Sequence, residues 1–464
     1  IDTKFFGSLL AYQTAIEVPR SGNAWIDGLT DGYRWGTSTI DPAVGYTFIS
    51  DTSALQGGEF GGYPSWGWSD EERQLMEQAM AEISAVCALQ FTDRGDDNDD
   101  DVEIWYYNLD KRESDDSYGF AYTPGSDSDE GLVAINWSTY QNADGSFKDS
   151  IASGSFYGIT FLHELSHAVG LKHPHDKGLL DQPRFPGLTR KSNEFRDKGD
   201  FDQNAHPFTQ LTYVDQGARN GIVPQSKEAY GFLQTPGALD IAALQWMYGV
   251  NSNAASANDT YVLPLDNREG TGWRSIWDTG GVDRITAAGA TAPVTIDLRN
   301  ATLGEDVNAG GYVSRVDGVF GGFTIAHDWD GTNLGQPAGL CVIEIAIGGK
   351  GDDLLIGNEA DNRLKGKKGS DVLVAGGGRG NRVTGGKGRD QFWISAQAGA
   401  FVEVTDFHRR KDRLVFDVDS TAVTLDSSGD GSQVLVDGRV VAQLPGVSDL
   451  DLQRHALFTV FEGL

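Results

Sequence analysis

From Gly348 the chain repeats itself with a period of nine residues. Three units run Gly-Gly-Lys-Gly-Asp-Asp-Leu-Leu-Ile from Gly348, Gly-Asn-Glu-Ala-Asp-Asn-Arg-Leu-Lys from Gly357 and Gly-Lys-Lys-Gly-Ser-Asp-Val-Leu-Val from Gly366. After one inserted residue, Ala375, two more start at Gly376 and Gly385. Glycine, an Asp or Asn at the sixth place and an apolar residue at the eighth stay in phase, which a flexible Gly/Asp-rich linker has no reason to do. Each unit is a tight turn followed by a very short strand. One such unit cannot bury its apolar residue alone, so neighbours must stack, with Leu355, Leu364, Leu373, Val383 and Phe392 pointing inward. A parallel β-roll is the expected result.

The turns of such a roll bring oxygen atoms together. Main-chain carbonyls from the second and fourth places converge with the sixth side chain, giving the sets Gly349, Gly351 and Asp353; Asn358, Ala360 and Asn362; Lys367, Gly369 and Asp371; Gly377, Arg379 and Asn381; and Gly386, Gly388 and Asp390. Hard oxygen donors of this kind suit Ca²⁺. Stacked carboxylates repel without a cation, so folding and calcium binding are expected to be coupled. Asn at two of the sixth places, and the Ala375 insertion, predict that some turns hold calcium less tightly than others.

Upstream of about residue 250 the pattern is different, aromatic-rich with mixed helix and strand, and a boundary is placed near 251–257 to give domains 1–250 and 251–464. Ser69 and Glu72 form a capping box before an apolar stripe at Met76, Met80, Ile83 and Cys87, predicting a helix over about 70–89. Strands are expected at 102–107 and 131–136, and a shorter one at 118–122 whose nearness to Pro124 suits a sheet edge. The acidic run 96–101 reads as a solvated loop. Cys87 and Cys341 are far apart and read as buried free thiols rather than a disulfide framework. With 67 acidic against 37 basic side chains, a net charge of −30, the chain repels phosphates, which argues against nucleic acid and anionic membranes as partners. No apolar run is long enough to span a membrane, and Ile1-Asp2-Thr3-Lys4 opens no signal-peptide core.

The chemistry concentrates in Phe161-Leu162-His163-Glu164-Leu165-Ser166-His167-Ala168-Val169-Gly170-Leu171-Lys172-His173. Residues four apart share a helix face, so His163 and His167 can direct nitrogens at one ion. Gly170 can adopt the left-handed conformation that ends a helix and lets the chain return His173 as a third ligand. Three neutral nitrogens leave a position open for water, the arrangement of a catalytic zinc. Glu164 projects beside them as a general base. The other histidines, His175, His206, His327, His408 and His455, have no comparable context.

This signature resembles the metzincin metallopeptidases, and almost the whole chain resembles one branch, the serralysins. Asp31-Gly32-Tyr33-Arg34-Trp35-Gly36, the capping-box helix, Tyr118-Gly119-Phe120-Ala121-Tyr122 and Pro236-Gly237-Ala238-Leu239-Asp240 are similar to landmarks of that family. The resemblance implies an α+β metzincin-type catalytic domain followed by an all-β parallel β-roll domain, and a secreted, extracellular, monomeric zinc metalloendopeptidase acting on polypeptides. It implies further calcium ligands at Ser256, Asn258, Thr260, Asp278, Gly280, Gly281, Asp283, Val342 and Glu344. It also implies a substrate strand along Gly119, Phe120, Ala121 and Tyr122, and one-step export read from the C-terminal end. The family carries a Met below the zinc and a Tyr two residues later. Here Leu211 stands at the Met position and Tyr213 at the Tyr position, which makes Tyr213 the candidate for a further zinc ligand or transition-state donor. A calcium-dependent binding or surface protein with a vestigial peptidase domain is the competing expectation, motivated by Leu211.

Overall fold

The computed structural model describes residues 14–36, 43–50, 66–98, 101–109, 117–126, 130–142, 144–214, 228–327, 341–427 and 430–458. The N-terminal Ile1 to Lys4, Asp99 and Asp100 of the acidic run, and the chain beyond Phe458 lie outside them. Among the described residues no helix is long and apolar enough to cross a membrane.

In the first part, helices α1 (Ala24–Leu29), α2 (Asp70–Val86), α3 (Gly158–Ala168) and α4 (Ala238–Tyr248) surround a five-stranded sheet. Its strands are β1 (Ala43–Phe48), β2 (Gln90–Asp93), β3 (Ile104–Leu109), β4 (Gly119–Ala121) and β5 (Leu132–Asn136), in the order β2-β1-β3-β5-β4. All pairs are parallel except β4 with β5. The edge position expected for the strand near Pro124 is where β4 lies. β1 has no counterpart among the expected strands; it lies inside the sheet between β2 and β3, with Val44, Tyr46 and Phe48 buried.

α2 starts as its capping box dictates: Ser69 Oγ accepts from the Glu72 N–H at 3.3 Å, and Glu72 Oε2 accepts from the Ser69 N–H at 2.8 Å. Met76, Met80 and Ile83 bury the predicted face. The helix ends at Val86 rather than near Leu89, because Cys87 turns extended and bridges Val250 while the Ala88 N–H donates to Gly249 O at 3.0 Å. Pairing with the end of the first part competes with the last helical turn and wins. Cys87 and Cys341 are both buried and neither is in a disulfide.

The second part is two nine-stranded sheets. Ile345–Ile347, Arg363–Lys368, Asn381–Lys387 and Val402–Val404 pair in parallel in one sheet. Leu354–Ile356, Val372–Val374, Gln391–Ile394 and Arg413–Phe416 do so in the other. Successive strands alternate between the sheets, which is the winding the nine-residue period predicts. Ala346, Leu364, Val383 and Val404 fall in one register column, and Leu355, Leu373, Phe392 and Leu414 in the other; all eight are buried. The inserted Ala375 is absorbed in a turn, so the parallel register continues from Arg363 to Arg382 without a slip.

The two parts share one continuous apolar core. Polar contacts also cross between them: the Trp25 indole N–H donates to Gly304 O at 2.9 Å, Gln203 both donates to Val307 O and accepts from the Gly310 N–H at 2.8 Å, and Arg274 meets Glu82 at 3.0 Å.

Candidate metal centre

α3 packs against β4 and β5 and is buried along nearly its whole length. Its last carbonyls are taken by side chains from elsewhere: the Trp35 indole N–H donates to Ala168 O at 2.6 Å and the Tyr248 hydroxyl to Val169 O at 2.8 Å, groups that a buried helix end must satisfy. Gly170 then reverses the chain at φ +99°, where a Cβ would lie 2.3 Å from Tyr33 O, so no other residue fits. The reversal delivers His173 to the face that carries His163 and His167.

The three Nε2 atoms converge, 3.3 Å apart for His163 and His167, 3.1 Å for His163 and His173, and 3.0 Å for His167 and His173. Each Nδ1 already has an acceptor: Gln210 O at 2.9 Å for His163, Leu171 O at 2.8 Å for His167 and the Asp176 carboxylate at 2.9 Å for His173. With the ring proton on Nδ1, as these acceptors favour, the three Nε2 lone pairs are turned toward one another. Burial, reinforced by the His173 charge, pushes His167 down to about 3, and burial lowers His173 well below the usual imidazole range, so neither relieves the crowding by taking a proton at neutral pH. A cation does relieve it. Nitrogens about 2.0–2.1 Å from a tetrahedral ion are separated by roughly 3.3 Å, so the residues present fit a metal. Acceptors behind the ligands orient the rings as outer-shell groups do in metal sites.

Glu164 is buried beside this tripod, and burial raises its carboxyl to about 8, a direction that a cation at the tripod opposes. Gly119 of β4 faces it so closely that a Cβ there would come within 2.8 Å of Glu164 Cγ. An edge strand and a buried carboxylate therefore meet at the tripod. Beside them opens a cavity of about 270 Å³ lined by Tyr118, Gly119, Phe156, Ile159, Thr160, His163, Glu164, Phe195, His206, Gln210, Thr212 and Tyr213. Phe120 and Ala121 complete β4 and Tyr122 follows it; none of the three lines the cavity.

In the second part, carboxylate oxygens of Asp259, Asp278 and Asp283 lie within 4.8 Å of one another. Asp283 Oδ2 is buried without a hydrogen-bond partner, and Glu344 reaches the same place, accepting from the Asp283 N–H at 2.8 Å. The Asn258 side chain instead accepts from the Val282 N–H at 2.8 Å, and Gly281 packs on Ala257 O. Gly280 follows Asp278, whose Oδ1 accepts its N–H at 3.1 Å; Ser256 and Thr260 flank the same loop, and Val342 lies two residues before Glu344. In the repeats, Asp371 Oδ2 is likewise buried and unpartnered. Orphaned carboxylate oxygens of this kind fit a cation.

Residues 238–427 match the family model described as Peptidase M10 serralysin C terminal. A serralysin of Photorhabdus luminescens is 26% identical over 351 residues, covering 72% of this chain and 62% of that protein. The chain is thus similar to the serralysins, over residues 238–427 by the family model and over most of its length by this relative. A metallopeptidase AprA of Pseudomonas marginalis is 27% identical over 76% of this chain and 66% of its own length, and a metalloprotease AprA of Pseudomonas entomophila 27% identical over 76% and 65%. The matches thus span about two thirds of these relatives' lengths or slightly less. An extracellular lipase LipA from Serratia marcescens aligns with a TM-score of 0.18 at 17% identity, over 44% of this chain and 38% of that one, too low to bear on the fold.

In this chain the segment after the tripod is held by Asp240, at the N-terminus of α4. Its carboxylate accepts from the Thr209 hydroxyl at 2.6 Å and from the Gln210 and Gly237 N–H groups at 2.8 Å, which fixes Gln210 O against His163. The ring of Tyr213 stacks on His163 with centroids 5.8 Å apart at 16°, and lies 4.5 Å from that of His173. Leu211, between them in sequence, is fully buried in the core. Leu and Met are close in volume, so Leu211→Met is expected to shift stability by less than ~1.5 kcal/mol in a denaturant melt. Asp176, Asp240 and Asp259 were not among the residues singled out by spacing. Asp176 follows His173 by three residues and Asp259 lies inside the 256–260 segment, signals that sequence offers; Asp240 is brought in only by tertiary packing.

Proposed function

We propose that this chain is a secreted, monomeric zinc endopeptidase of the serralysin family, with a metzincin-type catalytic domain over 1–250 and a calcium-binding β-roll over 251–464 that also serves export. What carries the reading is the convergence of three imidazole Nε2 atoms within 3.0–3.3 Å beside a buried Glu164 and an edge strand. Zinc held by His163, His167 and His173 would lower the pKa of a bound water toward ~7 and polarise the scissile carbonyl. Glu164 accepts the proton that the water gives up as its oxygen bonds to the carbonyl carbon. The same carboxyl returns that proton to the amide nitrogen as the C–N bond breaks. Tyr213 donates to the oxyanion that develops on the carbonyl. Gly119, Phe120 and Ala121 form β4, at the edge of the sheet, and with Tyr122 after it they are the segment on which an extended polypeptide adds as a further strand.

Tyr213→Phe tests the donor role. Loss of one oxyanion donor costs on the order of 10²-fold in kcat, with KM little changed, and a variant with wild-type kcat returns Tyr213 to a packing role. The reading as a whole is tested with casein. The purified chain in calcium buffer should carry one zinc and cleave it, lose activity when zinc is stripped and regain it with one equivalent of zinc. Zinc bound with no cleavage would favour the vestigial peptidase that Leu211 raises.

A further inference from the structure

Because strands alternate between the two sheets, successive turns of the repeat fall on opposite edges of the roll. The sixth-place residues sort accordingly. One edge carries Asp353, Asp371 and Asp390, and the other carries Asn362 and Asn381. The Asp edge continues past the repeats to Asp412, whose Oδ1 accepts from the Asp390 N–H at 3.1 Å as Asp390 does from Asp371 at 3.0 Å and Asp371 from Asp353 at 2.9 Å. The Asn edge has the same ladder, with the Asn362 N–H donating to Asn381 Oδ1 at 2.8 Å.

The interiors of the turns differ. On the Asp edge Asp371 Oδ2 is buried and unpartnered, while Asp353 accepts from the Gly349 N–H at 2.6 Å and the Val294 N–H at 2.9 Å, leaving charged rather than amide side chains inside the turns. On the Asn edge Asn362 Nδ2 stands 3.0 Å from Asn358 O, 2.7 Å from Ala360 O and 3.3 Å from Ala375 O. Asn358 O and Ala360 O are the second- and fourth-place carbonyls that an ion in this turn would need. Asn381 Nδ2 donates to Gly378 O at 2.8 Å. The Asn358 amide bridges Leu298 O and Ile343 O at 3.0 and 2.9 Å, and the Asn300 amide bridges Ala326 O and Cys341 O at 2.8 Å each. Asp361, the neighbouring carboxylate, is engaged through Oδ1 by the Arg379 and Gly380 N–H groups at 2.8 and 2.7 Å. Turning the Asn362 amide end for end would set its oxygen against three carbonyl oxygens, acceptor on acceptor.

We infer that the roll takes calcium along its Asp edge only, and that the Asn edge is closed by side-chain amides standing where cations would. Calcium affinity follows the charge of its ligands, and the Asn turns offer only neutral oxygens: Asn362 Oδ1 is buried without a partner, as Asp371 Oδ2 is, but carries no charge, and the Asn358, Ala360 and Gly378 carbonyls are each taken by a side-chain N–H. The Asp half of the inference rests on the calcium reading of the repeat; the Asn half rests on the amide contacts.

The test is the full-length chain crystallised in calcium, with ions located by anomalous scattering, and bound calcium per chain measured in solution for wild type, Asp371→Asn and the double variant Asn362→Asp/Asn381→Asp. Ions are expected between turns of the Asp edge and none in the 357–362 and 376–381 turns. Asp371→Asn should lose bound calcium, and the double variant should gain it. Ions in the Asn turns of the wild type overturn the inference while the calcium reading stands. Ions on neither edge overturn the calcium reading and the inference with it. The wild-type map decides even where a variant fails to fold.

Discussion

Glu164→Gln is expected to bind as much zinc as the wild type and to cleave casein ~10²–10⁴-fold more slowly, the range that a positioned general acid and base contributes. Gln keeps the shape of Glu, which matters where Gly119 leaves no room for anything larger. It cannot take a proton from water or hand one to a leaving amine. The ligands are untouched by the change, because each imidazole is oriented by its own Nδ1 acceptor, at Gln210 O, Leu171 O and the Asp176 carboxylate, and none of these involves Glu164. Zinc content and turnover should therefore separate. Equal loss of both would make Glu164 a structural support of the tripod, and retained turnover with zinc bound would place the proton transfer elsewhere. Paired with Tyr213→Phe, the experiment separates loss of the proton carrier from loss of a hydrogen-bond donor to the developing oxyanion.

What the sequence makes legible is what it encodes locally. The capping box at Ser69 and Glu72, the left-handed Gly170 and the nine-residue phase of the roll each act over a few residues, and each appears in the structure where the chain places it. The helix end at Val86 was not legible, since a bridge between Cys87 and Val250 decides it, across more than 160 residues. β1 was missed for a related reason: Ala-Val-Gly-Tyr-Thr-Phe is short, carries Gly45 in its middle, is buried on both faces, and finds its parallel partners in distant segments. At the candidate site, spacing points to the three imidazoles but not to what orients them. Asp240 reaches His163 only through Gln210, a contact chain that passes from α4 to a loop to α3. In the repeats, the alternation of Asp and Asn was visible as composition. Its meaning depends on winding, because only in the coiled chain do alternate turns share an edge.

Removing calcium is expected to make stability depend on pH in a direction that calcium reverses. Burial, with the Asp353 and Asp390 charges adding to it, raises Asp371 to about 7. Burial and the nearby Asp412 and Asp406 raise Asp390 to about 6, and burial with Asp283 and Asp259 raises Asp278 to about 6. All three stand above the ~3.9 of an unfolded Asp, so between about pH 4 and 7 the folded chain holds more protons than the unfolded one. These groups therefore contribute stability fully at low pH, and lose it as pH rises through about 6 to 7. A cation does the work of those protons and is displaced by them. The rise in melting temperature on adding calcium should then be small near pH 5 and largest above pH 7, where each independent site held at 100 times its Kd contributes about 2.7 kcal/mol. The measurement is a pair of melts at each pH on chain dialysed free of metal, with calcium returned to one arm. Groups remote from the ions, such as the buried His167, act equally in both arms and cancel in the difference. A calcium increment that stays flat from pH 5 to 8 would mean that these carboxylates do not hold the ion. Asp371→Asn should flatten the profile in part, by removing the group whose titration lies closest to neutrality.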